Sequence, residues 1–204
     1  MSATRSAEQA TDEARRTLET VRGMRDEFVD FLAHLAGLES PTDRPETQAQ
    51  VQEVLAGALE DLGFDIRVVP GRETGGHLFA RPTRRGRRES SQLLVGHTDT
   101  VWPLGTLEKM PVREEEGRLH GPGTLDMKGG LTQAIFALRV LRALELEPAA
   151  QPVLFFNSDE EIGSPESKRY VRMLARRARR AFVLEPSLGS DGRIKTARKG
   201  LGRF

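Results

Sequence analysis

A chain of 204 residues is long enough for one sizeable domain with its own core, or for one domain and a small appendage. Lys and Arg number 31 against 30 Asp and Glu, a net charge of +1, so no global field draws the chain to nucleic acid or to an anionic membrane surface. Cysteine is absent, which excludes disulfides and thiolate metal sites and leaves His, Asp and Glu to hold any metal. The N-terminal stretch is charged and has no apolar centre, so it does not read as a signal peptide. No run approaches the ~20 apolar residues a membrane span needs. A soluble, cytoplasmic protein is the expectation.

Residues 1–24 read as a weakly amphipathic helical leader. Phe28, Phe31, Leu32 and Leu35 then recur at helical spacing and mark a buried stripe. Pro41 breaks it, and Asp43 is placed to cap the next helix, with Pro45 near its first turn. Val51, Val54, Leu55, Ala58, Leu59 and Leu62 form one face of that helix, and Gly63 ends it. Residues 65–69 and 77–82 read as strands, and the basic segment 83–90 as a loop. Residues 92–96 form a short apolar run feeding a loop, the pattern of a central strand. A turn at Gly117 is flanked by short strands. Met127–Leu146 is the clearest helix, with Leu131, Ala134, Ile135, Leu138 and Leu141 facing inward. The strand Val153–Phe156, a helix from Pro165 to Arg180, the strand 181–185 and a strand around 193–198 complete the pattern. This alternation predicts an α/β domain of three layers, a mostly parallel mixed sheet with helices on both faces.

The residues that could carry chemistry sit at strand or loop ends. His97 and Asp99 follow the 92–96 strand, and a period of two puts both side chains on one side. The pair can be a metal ligand and its orienting carboxylate, or Asp99 can serve Asp126 or a metal shell. Asp126 lies between glycine-rich segments just before the strongest helix, either as that helix's N-cap or as a ligand. Glu160 and Glu161 end the Val153–Phe156 strand. Adjacent side chains alternate, so one can bind metal while the other faces a reacting water, the division metal-assisted hydrolysis needs. Glu185 closes the strand 181–185. These sites would converge on one rim of the sheet, and an oxygen-rich His/Asp/Glu set without thiolates suits Zn²⁺, with Co²⁺ or Mn²⁺ as substitutes. An Asp able to bridge suggests two ions.

The stretches LLVGHTDTVWPLG, GPGTLDMKGG, FFNSDEEIGSPES and FVLEPS resemble the zinc-dependent aminoacyl and peptide hydrolases that include glutamate carboxypeptidase, acetylornithine deacetylase and succinyl-diaminopimelate desuccinylase. The resemblance leans toward the glutamate carboxypeptidase branch. It implies that His97, Asp126 and Glu185 bind a first metal, that Asp126 bridges to a second held by Glu161, that Glu160 is the general base and that Asp99 supports His97. It also implies a cis peptide bond after Asp126. The implied reaction is hydrolysis, by metal-bound hydroxide, of an amide next to a C-terminal amino acid such as glutamate, in a small peptide or N-acyl amino acid.

In that family a lid and dimerisation domain follows a segment like residues 195–204, and a last His ligand for the second metal comes later. No His follows His120 here. The expectation is thus a truncated catalytic domain: a leader over 1–24, the N-terminal part of the metallopeptidase domain over 25–198, and the start of a missing lid over 199–204. The family's homodimer would lack its dimerisation domain. A non-catalytic metal-binding remnant or one half of a split enzyme is the alternative. The basic run 172–180 reads as a solvated helix end, not a nucleic-acid patch, since no aromatics are interleaved. Trp102 either lines the pocket mouth or packs its loop. His34 and His77 read as structural, and His120 as a strand-end residue or a neighbour of a metal.

Overall fold

Four of the five strands in the central sheet run the same way, and only the second opposes them. The computed structural model describes residues 7–84, 90–189 and 192–193. Its helices are α1 (Ala7–Gly23), α2 (Arg25–Ala36), α3 (Gln48–Asp61), α4 (Gly129–Ala143) and α5 (Lys168–Ala175). Its strands are β1 (Phe64–Val69), β2 (His77–Pro82), β3 (Ser91–His97), β4 (Arg113–Glu115), β5 (Arg118–His120), β6 (Gln151–Asn157) and β7 (Ala178–Val183). The main sheet has the order β1-β2-β6-β3-β7, and β4 and β5 form a separate hairpin.

The two faces of the sheet are covered separately. Leu78, Ala80, Leu94, Leu154 and Phe156 point to one face and meet Leu35 of α2, Leu55 and Leu59 of α3, and Leu131 and Ile135 of α4 in a single apolar cluster. Alternation sends His77 and Phe155 to the other face, where both meet the ring of Tyr170 on α5. Gly96 lets α4 lie close: a Cβ there would stand 2.7 Å from Leu131 Cδ2 and 3.0 Å from Met127 Cε. The exposed helix α1 contributes no buried residue.

This topology places the functional rim. Strand β3 pairs in parallel with β6 on one side and β7 on the other. The chain leaves β3 for β6 through α4 and leaves β6 for β7 through α5, on opposite faces. The carboxyl ends of the three strands therefore open a crevice at a switch point, where open α/β sheets bind ligands.

Several expectations need correction. The helix placed over 165–180 is only Lys168–Ala175, and Arg179 and Arg180 belong to β7. Pairing with buried β3 overrides the helical propensity of the arginine-rich run. The clearest helix starts at Gly129 rather than Met127, because Asp126 and Met127 have non-helical dihedrals; the peptide bond between them is cis. Asp43 caps nothing: Arg44 precedes the 3-10 turn Pro45–Thr47, Thr47 precedes α3, and neither end has a side-chain cap. His34 is exposed. The expected strand at 193–198 lies, apart from Arg193, outside the described residues, as do positions 85–89 of the basic loop and the segment 199–204.

Candidate metal centre

His97 ends β3 with its side chain almost wholly enclosed, at 1% exposure. Its Nδ1–H donates to the main-chain carbonyl of Asp99 at 2.8 Å. That bond turns Nε2 toward the carboxylates of the crevice, the orientation a metal-binding imidazole takes. Three carboxylates face Nε2: Asp126 Oδ1 at 3.1 Å, Glu185 Oε1 at 3.5 Å and Glu160 Oε2 at 4.0 Å. Donor atoms of His97, Glu160 and Glu185 lie within 4.8 Å of one another, and so do those of His97, Asp126 and Glu161. The structure thus brings together every residue singled out at the strand ends. His97 is common to both groups, whereas the sequence reading placed Asp126 at the junction. His77 and His120 belong to neither group among the described residues.

Each acid arrives by a different local device. Asp126 is turned out of helical geometry, and its carboxylate meets His97 instead of capping α4, whose N-cap Lys128 has no side-chain cap bond. The next residue, Met127, is buried, and its sulfur accepts the His97 main-chain N–H at 3.1 Å. Glu185 reaches the rim because the chain continues the ladder past β7, Leu184 N–H donating to Val95 O at 2.9 Å. Gly130 makes room for that approach, since a Cβ there would stand 1.9 Å from Leu184 O.

Glu160 and Glu161 are held through their backbone. The Asp99 carboxylate accepts the main-chain N–H of Glu160 at 3.3 Å and of Glu161 at 3.2 Å, and the Thr42 hydroxyl donates to it at 2.8 Å. Asp99 Oδ1 also stands 3.4 Å from His97 Nδ1. Asp99 is therefore more than a support behind the imidazole: one buried carboxylate ties the end of β3 to the turn after β6.

Besides Thr42, three residues of this framework escaped the sequence reading. Asp159 has no exposed surface and accepts bonds from Asn157 Nδ2 and from the main-chain N–H groups of Glu166 and Ser167. Its spacing before Ser164-Pro165-Glu166-Ser167 is the available signal, an acid able to cap the following turn. Glu39 accepts the N–H groups of Gly105 and Leu107 and holds the loop after Thr100. Lys128 is buried, and its Nζ donates to Leu38 O at 2.6 Å. Burial pushes that ammonium down to about 8, against the pull of Glu39. Trp102 is 38% exposed and is not among the residues lining the cavity beside Glu161.

Electrostatics set the centre apart from the remaining surface. Burial raises Glu161 to about 7, with Asp126, Asp99 and Glu160 adding repulsion against the relief from His97. Burial also raises Glu160, and Glu185, Asp99 and Asp126 reinforce it. Burial alone would lower His97, but Asp99 and Glu185 outweigh it and raise the imidazole to about 11. Crowded carboxylates of this kind favour a cation among them.

Comparison with known proteins assigns the chain. Residues 93–197, just over half of it, match the profile of peptidase family M20/M25/M40. The chain belongs to this family. Carboxypeptidase G2 of Pseudomonas sp. (strain RS-16) is 29% identical over 175 residues, covering 85% of this chain and 42% of the relative. Acetylornithine deacetylase of Proteus mirabilis (strain HI4320) is 32% identical over 157 residues, covering 72% and 39%. Human carnosine dipeptidase 1 superposes with a TM-score of 0.74 at 20% identity, over 85% of this chain and 41% of that one. The M20 family metallo-carboxypeptidase Sso-CP2 from Sulfolobus solfataricus superposes with a TM-score of 0.68 at 20% identity, over 82% and 39%. The α/β architecture is that of the M20 catalytic fold, and the chain spans about two-fifths of the length of these relatives. No helix among the described residues is long and apolar enough to cross a membrane.

Proposed function

We propose that this chain carries the metal-binding wall of a hydrolase that cleaves an amide next to a C-terminal amino acid, glutamate being the leading choice. The observation that carries the reading is the meeting of His97, Asp126, Glu160, Glu161 and Glu185 at one crevice of the sheet. One imidazole nitrogen with several carboxylate oxygens and no thiolate fits Zn²⁺, with Co²⁺ and Mn²⁺ as substitutes. We assign His97, Asp126 and Glu185 to a first ion, and Glu161 to a second that shares Asp126. Ions held there supply Lewis acidity, polarising the scissile carbonyl and making water easier to deprotonate.

The chain's own groups do the rest. Glu160, whose pKa is raised by burial, takes a proton from the attacking water and delivers it to the leaving nitrogen. Asp99 holds the main-chain amides of Glu160 and Glu161 and keeps the His97 imidazole in place. A cavity of about 580 Å³ opens beside Glu161, lined by Val101, Pro103, Ile162 and Pro165 and by the acids Asp43, Glu73 and Glu166. Its apolar residues suit the acyl portion of a small peptide or N-acyl amino acid.

The test measures zinc uptake by the purified chain and its variants, and hydrolysis of N-acyl-glutamates by the full-length hydrolase that carries them. Glu160→Gln is expected to keep its metal and lose turnover, and Glu161→Gln to lose metal. Undiminished turnover in Glu160→Gln overturns the assignment of the base.

A further inference from the structure

The segment Leu38–Thr42 bonds to the framework around the centre, at Lys128, the 105–107 loop, Thr98, Thr100 and Asp99. Leu38 O accepts from Lys128, two residues beyond Asp126. Glu39 holds the rim loop at Gly105 and Leu107. Ser40 Oγ donates to Thr98 O at 2.7 Å, Thr100 N–H donates to Ser40 O at 2.9 Å, and Thr42 N–H donates to Thr100 O at 3.2 Å. The segment is thus laced along the chain that leaves β3, and it ends with the Thr42 hydroxyl on Asp99 Oδ2 at 2.8 Å.

That last bond has leverage. Asp99 is fully buried, out of reach of bulk solvent. Its orientation is set by the main-chain N–H groups of Glu160 and Glu161, both at 3.2 Å or more, by the ring of His97 at 3.4 Å, and by Thr42. The Thr42 bond is the shortest of these. A rotation of the carboxylate would release the Glu160–Glu161 turn and disturb the imidazole together. We propose that Thr42 is a positioning residue of the metal centre: its hydroxyl locks the Asp99 carboxylate that holds His97 and the Glu160–Glu161 turn in mutual register. This rests on the metal-centre reading above.

Thr42→Val keeps the shape and removes the hydroxyl, and Thr42→Ser keeps the hydroxyl. Zinc affinity is measured by chelator competition on the purified chain. Amide hydrogen exchange at Glu160 and Glu161 is followed separately on the metal-free chain, with thermal melting as the check on folding. Thr42→Val is expected to melt as a folded protein, exchange faster at both amides and bind Zn²⁺ about tenfold more weakly, the range for a group that orients a ligand. Thr42→Ser is expected to match wild type in both. Unchanged exchange and affinity in Thr42→Val overturn the proposal, and so does an equal loss in Thr42→Ser, which would make the contact one of packing. A wild-type chain that takes up no Zn²⁺ overturns the metal-centre reading instead, and the exchange comparison, which needs no metal, still decides whether Thr42 governs the turn.

Discussion

The carboxylate of Asp126 lies 3.1 Å from Nε2 of His97, although the two residues arrive from different elements. An imidazole nitrogen aimed at a half-exposed carboxylate makes a pair a cation can enter from the solvent side. Asp126→Asn keeps the volume and removes the charge. Its zinc affinity, by competition with a chelator, should fall at least about tenfold, while the circular dichroism spectrum stays that of wild type. Unaltered affinity would remove Asp126 from the ligand set.

Gly130 and Leu184 give a test of how the fold delivers Glu185. Gly130→Ala drives a methyl group into the Leu184 carbonyl, a main-chain atom that cannot rotate away. The loss in urea denaturation should be about 1–3 kcal/mol, the usual cost of forcing atoms into a packed interior. Because Leu184 precedes Glu185, the folded variant should also bind Zn²⁺ more weakly. A variant as stable as wild type would show that α4 and the end of β7 are not in contact.

Asp159 should matter for stability. Asp159→Ala removes the side-chain acceptor of the buried Ser167 N–H and of the part-buried Glu166 N–H, and leaves Asn157 Nδ2 only the hydroxyls of Ser164 and Ser167. Each unsatisfied buried group costs about 1–3 kcal/mol, so a clear drop in melting temperature is expected. Asp159→Asn, which retains an acceptor oxygen, should lie between. An unchanged melting point for the alanine variant would contradict the network.

Glu166 supplies a pH dependence. The Glu73 main-chain N–H holds its carboxyl below the usual range against the opposing effect of burial, helped by the Arg72 N–H and the Thr74 hydroxyl. A depressed carboxylate stabilises fully above its unfolded pKa, and that contribution fades as pH falls through the lower folded value. The melting temperature of wild type should therefore exceed that of Glu166→Gln at pH 7, and the gap should close below about pH 4. A gap independent of pH would mean the carboxylate charge is not what holds the 72–74 loop.

Much of the fold was legible because apolar runs have lengths and periods. Residues 92–96 could only be a central strand or a buried helical piece, and the loop chemistry after His97 decided for a strand. The Met127 boundary and the arginine run over 172–180 misled for a shared reason. Propensity is local, while the irregular Asp126–Met127 link and the pairing of Arg180 with Gln92 are imposed from elsewhere in the chain.

The sequence by itself determined the chemistry: which side chains could hold a cation, that no thiolate competes, and that His97, Glu160, Glu161 and Glu185 come after apolar runs while Asp126 lies between glycine-rich segments. Those facts are local, and residue type and spacing record them. The tertiary structure alone decided which of these groups meet. It placed His97 in both donor groups, gave the Asp99 carboxylate to the amides of Glu160 and Glu161, and brought Thr42, Asp159 and Lys128 into the framework. These contacts run largely through main-chain N–H and C=O groups, which every residue carries, so no side-chain pattern announces them.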